Sequence, residues 1–291
     1  MTSQRYQFPF KENYFETDGV RLHYVDEGSG PPLLLVHGNM ESSYTYRKMN
    51  PPLVEAGYRC VAPDLLGFGL SDKPSAEEDY SLLRHVIYVT ALVNHLWLED
   101  VTTIGGDWGG PISLRYAIEH RDNVRALVIL GTLVKTMGGL GLFGILFTNS
   151  TYSSFLIREW DLFRRMMLKK GFARPVDPQA MEEIKAAHPD KASRAGIAAF
   201  PRMIPMRRRH PYASYVSEID EVLPTWDVPT LVMFADKDPA FKAKEGRRIA
   251  SMVPDGRFHL VENASHFMPE DAGEEIASMM IAFLRDEAKV T

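Results

Sequence analysis

The sequence of 291 residues predicts a doubly wound, mostly parallel α/β sheet with a helical segment inserted in its second half. Short apolar runs alternate with helical patterns at βαβ spacing up to about residue 130. The same alternation returns at residue 229. Between about residues 133 and 215 the strand patterns disappear, and the sequence becomes helix-like and rich in Met, Phe and Arg. These three observations together predict the fold class.

Each element follows from its own residue pattern. Alternating apolar residues on both sides of Asp18-Gly19 predict a hairpin over residues 12–28. The continuous run Leu33-Leu34-Leu35-Val36 predicts a strand that is buried on both faces of a parallel sheet. The other predicted strands are residues 59–62, 101–104, 124–130, 229–234 and 257–261, and the other predicted helices are residues 44–56, 80–97, 242–252 and 270–286, with one more helix after residue 108.

The interruption of the βα pattern divides the chain into two predicted units. Residues 1–132 and 216–291 are predicted to form one core domain, because the chain returns to the same sheet. Residues 133–215 are predicted to form a helical cap over the carboxyl ends of the strands, where open α/β sheets bind their ligands. The alternative is a second domain with a function of its own, for which roughly 80 residues is small.

Composition and charge exclude several classes of protein. The chain is 45% hydrophobic and 24% charged with a formal net charge of −5, so nothing indicates nucleic acid or an anionic membrane as a partner. The single cysteine, Cys60, excludes an internal disulfide, and its predicted strand indicates a buried, unreactive thiol. The N-terminal segment lacks the apolar region of a secretory signal, and the apolar run 140–147 is too short to span a bilayer. A cytoplasmic protein is therefore expected.

The strongest functional signal lies where a predicted strand turns into a helix. The strand passes through Gly105-Gly106-Asp107-Trp108-Gly109-Gly110 before the helix begins. Small residues on both sides of one reactive side chain are typical of a nucleophile elbow, because this turn is too sharp for neighbouring Cβ atoms. The central residue of such an elbow is usually Ser, but here it is Asp107.

Two later loops supply the partners that an elbow enzyme needs. Such enzymes keep the chain order nucleophile, acid, histidine, and Asp238 and His266 follow Asp107 in that order, each after an apolar strand. His266 is the predicted general base, because an imidazole titrates near neutral pH. Asp238 is the predicted acid, with Asp236 as the alternative. The histidine after the first buried strand, His37, is predicted to be structural.

A carboxylate nucleophile indicates attack on a saturated carbon. The product is an alkyl ester, which water can cleave at its carbonyl carbon, whereas a serine would form an inert ether. The leaving group is then a halide or the oxygen of an epoxide. Trp108 and Asn39 offer N–H donors next to Asp107 with no acidic group adjacent, which favours a halide. Simple packing of Trp108 and loop capping by Asn39 are the non-functional alternatives.

Three motifs resemble the haloalkane dehalogenase family of α/β-hydrolases. They are His37-Gly38-Asn39, the segment 64–74 and Gly106-Asp107-Trp108-Gly109-Gly110, and the resemblance covers most of the core and weakens in the cap. It implies Asp107 as nucleophile, His266 as base, and Trp108 and Asn39 as the halide clamp, with the backbone N–H groups of these two as oxyanion hole. The triad acid should be Asp238, because the strand after the elbow helix ends at Thr132 without an acid.

The sequence departs from the family pattern at two positions. Met40 stands where the family often has Pro, and Phe172 aligns loosely with a second halide-binding Trp that some branches carry in the cap. Phe172 cannot donate a hydrogen bond, so it is expected only to line the pocket.

Three other functions remain open from the sequence. An epoxide hydrolase would need one or two cap tyrosines that face Asp107, and Tyr152, Tyr212 and Tyr215 are available. A non-catalytic ligand-binding relative would be expected to lack part of the triad, and an ester hydrolase to have Ser at position 107. A small apolar halogenated substrate and a halide product are the expected partners, without metal or organic cofactor, because the chain has neither a Cys/His cluster nor dinucleotide glycine spacing.

Overall fold

A computed structural model describes residues 5–135, 146–148 and 150–287 and has an eight-stranded sheet at its centre. The strands are β1 (Asn13–Thr17), β2 (Val20–Glu27), β3 (Pro32–Val36), β4 (Arg59–Pro63), β5 (Val101–Asp107), β6 (Val124–Thr132), β7 (Thr230–Ala235) and β8 (Arg257–Val261). Their order in the sheet is β1-β2-β4-β3-β5-β6-β7-β8. The pairs β1–β2 and β2–β4 are antiparallel, and all later pairs are parallel. The predicted fold class is confirmed.

Helices cover both faces of this sheet. In the described residues they are α1 (Asn50–Glu55), α2 (Leu82–His95), α3 (Gly109–Glu119), α4 (Ser150–Arg158), α5 (Leu162–Lys170), α6 (Pro178–Ala186), α7 (Ala195–Met203), α8 (Ala213–Val222), α9 (Ala243–Met252) and α10 (Met268–Glu287). The buried strand β3 shows the two layers directly. Leu34 and Val36 pack in one apolar cluster with α2, α3 and α9, whereas Leu33 and Leu35 pack in another with α1 and α10.

The predicted helix over residues 44–56 is wrong in one respect, since it consists of two pieces. A short 3₁₀ turn spans Ser43–Tyr46, and α1 begins only at Asn50. Pro51 and Pro52 cause the break, because proline lacks an N–H and is tolerated only in the first turn of a helix. Two strands are also longer than predicted. β5 and β6 continue to Asp107 and Thr132, which pair with each other across the sheet.

The segment between β6 and β7 contains helices and connecting turns, and no strand among its described residues. Its last helix, α8, continues past residue 215 to Val222 and packs in the same apolar cluster as α3. Most of the apolar run 140–147 lies outside the described residues. Of the helices that the structure describes, none is both long and apolar enough to cross a membrane. Cys60 is fully buried, and burial raises the pKa of its thiol to about 12, as expected for an unreactive cysteine.

Candidate active site

The elbow at the end of β5 holds Asp107 in a backbone conformation that few residues adopt. Its φ is +47°, in the left-handed region that side chains other than glycine normally avoid. Close packing around the turn explains the neighbouring glycines. A Cβ on Gly109 would collide with the carbonyl oxygen of Val36, and a Cβ on Gly38 would collide with the Asp107 side chain. The ends of β3 and β5 therefore lie in direct contact, and the Asp107 carboxylate sits between them.

Two backbone N–H groups point at the Asp107 carboxylate. The N–H of Asn39 donates to Oδ1 over 2.7 Å, and the N–H of Trp108 acts on the same carboxylate by lowering the pKa of Asp107. These are the two amides that the family resemblance implies as an oxyanion hole. Burial raises the pKa of Asp107, although His266 and the two N–H groups act in the opposite direction.

His266 lies between the two carboxylates that the sequence pairs with it. Its Nδ1 is 3.2 Å from Oδ2 of Asp238, and its Nε2 is 3.8 Å from Oδ2 of Asp107. Burial acts to lower the pKa of the imidazole, but the charges of Asp238, Asp107 and Glu41 together raise it to about 9. In the free protein, His266 is therefore held as an imidazolium at neutral pH, paired with Asp107 on one side and Asp238 on the other.

Geometry separates Asp238 from Asp236, the alternative acid. Asp238 is 3% exposed, and its Oδ1 accepts hydrogen bonds from the N–H groups of Ala240 and Phe241, at 2.7 and 3.1 Å. Its other oxygen is thereby fixed toward His266. Asp236 is exposed, and its carboxylate accepts the N–H of Ala264 instead. Of these two candidate acids, only Asp238 contacts the imidazole of His266.

The side chains of Trp108 and Asn39, the predicted halide clamp, are both buried next to Asp107. Trp108 is 2% exposed and meets the ring of Phe200 edge to face, at 5.5 Å between centroids. The Asn39 amide donates from Nδ2 to the carbonyl of Ile197 over 3.3 Å. One of its two N–H bonds is thus engaged, and the second is available. Both contacts come from α7, in the segment between β6 and β7.

The loop that carries His266 is fixed by Asp271, a residue that the sequence did not single out. One Asp271 oxygen accepts the N–H groups of Ser265 and Ala173, at 2.8 and 2.9 Å, and the other accepts that of Arg174. The N–H of Phe267 also donates to the carbonyl of Gly171. Residues 171–174 are therefore bound to the histidine loop. Little in the sequence indicated this role of Asp271, because an acidic residue in the first turn of a helix usually caps the N-terminus of that helix.

The other histidine at this edge, His37, has a structural role, as predicted. It is completely buried, and its Nδ1 lies 2.7 Å from the carbonyl of Gly38 while its Nε2 accepts the N–H of Leu65. Burial lowers the pKa of His37, so the ring is neutral. Among the residues that the structure describes, no group of three or more His, Cys, Asp or Glu side chains is arranged to hold a metal ion.

One expectation about the charge of the site is wrong. The sequence indicated no acidic group adjacent to the clamp, but the Glu41 carboxylate accepts the N–H of Gly38 over 2.9 Å, and its charge acts on both Asp107 and His266. Burial raises the pKa of Glu41 to about 7. The reason is the fold of the loop after β3, which turns back so that residue 41 faces residue 38. In the sequence, only the position of Glu41, two residues after Asn39, pointed to an acidic group near the clamp.

Comparison with known proteins decides the family. An alpha/beta hydrolase fold family model matches residues 31–174. A haloalkane dehalogenase of Mycobacterium marinum is 36% identical over 95% of this chain and 94% of its own. Haloalkane dehalogenase 1 of Mycobacterium bovis is 39% identical over 90% of this chain and 92% of its own. The chain belongs to the haloalkane dehalogenase family. A point mutant of the Agrobacterium tumefaciens dehalogenase DatA has a similar structure, with a TM-score of 0.86, 25% identity and coverage of 94% and 96% of the two chains.

Phe172, the residue expected to line the pocket, lies against the loop that carries His266. It lines a cleft together with Met40, Glu41 and Phe267, and its ring packs against that of Phe267 at 4.9 Å between centroids. The cleft runs between the loop after β3 and helices α5 and α6. Asp107 is not among its lining residues, so Phe172 lines a cleft that does not include the predicted nucleophile.

No described contact joins Asp107 to the tyrosines that an epoxide hydrolase would need. Tyr152 is 72% exposed at the surface of α4. The ring of Tyr215 packs against the guanidinium of Arg115, 4.3 Å from its centroid, on the outer side of α3. Tyr212 contacts His210. None of the three makes a described contact with Asp107, so no observation favours epoxide opening over dehalogenation.

Proposed function

We propose that the protein hydrolyses haloalkanes to an alcohol, a halide and a proton through an alkyl ester of Asp107. The observation that carries this proposal is a carboxylate at the elbow with two backbone N–H groups on it and an imidazole beside it. Family membership supports the same reaction, because the relatives are named for it. The substrate is a small apolar halogenated alkane.

The contacts of Asp107 separate the roles of its two oxygens. Oδ1 is held by the N–H of Asn39, which leaves Oδ2 to attack the carbon in line with the departing halide. Halide leaves with its bonding electrons, and Asp107 becomes a neutral ester whose carbonyl oxygen is Oδ1. Trp108 and the second N–H of Asn39 stabilise the halide, which needs hydrogen-bond donors but no proton.

Hydrolysis follows at Cγ of the ester. His266 takes a proton from water, the resulting hydroxide bonds to Cγ, and the charge that develops on Oδ1 is stabilised by the N–H groups of Asn39 and Trp108. Collapse breaks the bond between Cγ and Oδ2, and the departing alkoxide takes the proton back from His266. Asp107 emerges as a carboxylic acid, whose proton passes through His266 to solvent. The sum is one water consumed and one alcohol, halide and proton formed.

The loss of charge on Asp107 during alkylation allows His266 to act as a base in the hydrolytic step. With Asp107 ionised, the pKa of His266 is about 9 and the ring is protonated. Alkylation neutralises Asp107 and removes one of the charges that raise this pKa. The pKa of His266 therefore falls in the ester intermediate, and the neutral ring can accept a proton from water. Asp238 holds Nδ1 throughout, which keeps Nε2 directed at the water.

Residues 133–215 form a cap in this proposal. Support comes from contacts between this segment and the site: the Ile197 carbonyl accepts a hydrogen bond from Asn39, and Phe200 packs on Trp108. The cap excludes water from the halide, which strengthens each hydrogen bond to it. Cap residues accordingly determine which haloalkanes enter.

Halide release tests the proposal directly. We expect bromide to appear in stoichiometric amounts with alcohol when the protein is given a short panel of bromoalkanes. A parallel assay with matched epoxides should give no diol. Diol formation without bromide release from any haloalkane would contradict the proposed function and restore the epoxide hydrolase.

Asn39→Ala is expected to weaken halide binding while leaving ester hydrolysis nearly intact. The variant loses the side-chain donor, and a hydrogen bond to a charged group contributes about 1.5–3 kcal/mol, so bromide affinity should fall roughly 10- to 100-fold. The backbone N–H that bonds Oδ1 remains. Quenching of tryptophan fluorescence by bromide measures the affinity, and single-turnover kinetics measure hydrolysis. Unchanged bromide affinity would leave Asn39 as a loop residue only.

A further inference from the structure

The turn after β3 is under conformational strain at the point where it delivers the N–H of Asn39. Met40, the next residue, has a φ of +65°, in the left-handed region. Proline, which the family often has here, cannot adopt this angle, because its ring fixes φ near −65°. The left-handed backbone at Met40 costs free energy, which contacts within the turn must offset.

Glu41 supplies one such contact and closes the turn. Its Oε2 accepts the N–H of Gly38 over 2.9 Å, and its Oε1 accepts the hydroxyl of Thr45 over 2.8 Å. The carboxylate thus links the first residue of the turn to the short 3₁₀ segment that follows. Asn39 lies between Gly38 and the strained Met40, with its own N–H on Asp107. The position of this N–H is set by the turn that Glu41 closes.

Glu41 also contributes charge to the catalytic residues. The acidic groups that raise the pKa of His266 are Asp238, Asp107 and Glu41, and the pKa of Glu41 in turn is raised by burial and by Asp107. The cleft that Glu41 lines carries further charged groups on its other walls, which are Arg5, Arg47, Glu183 and Glu270. Of these, Glu270 is engaged by Arg47 and Lys48, and Glu183 by Arg5.

We propose that Glu41 is a positioning residue for the hydrolytic half of the reaction: its carboxylate holds the Gly38–Asn39 turn so that the Asn39 N–H stays on Asp107. The charge of the same carboxylate also acts on the His266 imidazole, which gives a second, independent readout. The proposal rests on the proposed dehalogenation. Glu41 acts on the ester step more than on alkylation, because the Asn39 side chain is held separately by the Ile197 carbonyl.

Glu41→Ala and Glu41→Gln test the two parts separately. The Ala variant loses the contact with Gly38, and we expect ester hydrolysis to slow about tenfold, since complete loss of an oxyanion donor costs about 10²- to 10³-fold. The burst of bromide that reports alkylation should stay within about threefold of wild type. The Gln variant keeps an acceptor for the Gly38 N–H, so it should recover most of the hydrolysis rate at its pH optimum.

The pH profile provides a readout that a purely structural role would not change. Hydrolysis needs neutral His266, and loss of a nearby negative charge lowers the pKa of this residue. Since the pKa of Glu41 is about 7, its charge is present in the wild type above neutral pH, and the acid limb of the Glu41→Gln profile should move to lower pH by up to about half a unit. Glu183→Gln is the matched control: it removes the same charge from the same cleft but contacts Arg5 and Tyr6, and its acid limb should coincide with that of the wild type.

Two results would overturn the role of Glu41. One is a Glu41→Ala protein that melts cooperatively and hydrolyses the ester at the wild-type rate. The other is a Glu41→Gln profile whose acid limb does not move, which decides the matter even if the Ala variant fails to fold. Both presuppose bromide release by the wild type. Absence of bromide release in the wild type would refute the dehalogenase function itself. Failure of the proposed role of Glu41 can therefore be distinguished from failure of the proposed function.

Discussion

His266→Phe should release one equivalent of bromide and then stop. The phenyl ring can occupy the place of the imidazole, which stacks against Phe241 at 5.5 Å between centroids. It cannot accept a proton from water. Alkylation needs no base, so the first step proceeds, while steady-state turnover falls about 10²- to 10⁴-fold with the loss of the general base. Mass spectrometry should find the added alkyl group on the peptide that contains Asp107.

Asp107→Ala in the same experiment is the control, since it has no carboxylate to alkylate. Neither a bromide burst nor an adduct should appear in that variant. If His266→Phe gives no adduct with a substrate that the wild type turns over, the two-step scheme is refuted. An adduct on another residue would refute Asp107 as nucleophile but leave a covalent route.

Asp238→Asn should reduce turnover about 10³- to 10⁴-fold with little change in fold. The amide is isosteric, but its N–H₂ can donate to Nδ1 of His266, which places the ring proton on Nε2 and blocks the base. The pKa of His266 also falls, because Asp238 is the leading charge that raises it. Turnover measured from pH 6 to 10 should stay low throughout, since the ring in the wrong tautomer is inactive even when neutral.

Asp236→Asn is the matched control for this variant. Asp236 precedes Asp238 by two residues and is exposed, and the described hydrogen bond of its carboxylate is with the N–H of Ala264. Turnover should stay within about threefold of wild type, as for surface substitutions away from a site. A large loss in Asp236→Asn together with a small one in Asp238→Asn would reverse the assignment of the acid.

Much of the core was predictable because its signals are local. A strand buried on both faces has a continuous apolar run, as in Leu33-Leu34-Leu35-Val36, and the elbow needs small residues around Asp107 whatever surrounds it. The prediction of attack on a saturated carbon followed from residue type alone, since a carboxylate nucleophile forms an ester that water can cleave. The start of α1 was predicted less accurately. This helix begins only at Asn50, because the two prolines in its first turn also separate it from the preceding 3₁₀ turn.

Features of the site that depend on how its loops fold were predicted with an alternative or were not predicted. Asp236 and Asp238 follow the same strand, and only burial and the contact with His266 distinguish them. Glu41 was not singled out in the sequence, because the left-handed turn at Met40 that brings it to Gly38 is unusual for methionine. The three cap tyrosines were equal candidates until their neighbours were known.

The sequence by itself determined the sheet, the order of the triad and the class of reaction, because each rests on periodicity or on the chemistry of a single side chain. The tertiary structure decided which acid contacts His266, that Tyr215 packs on Arg115, and that Glu41 closes the turn beside Asn39. Such pairings arise where the loops at the carboxyl ends of the strands meet, and local preferences carry no information about which side chains then touch.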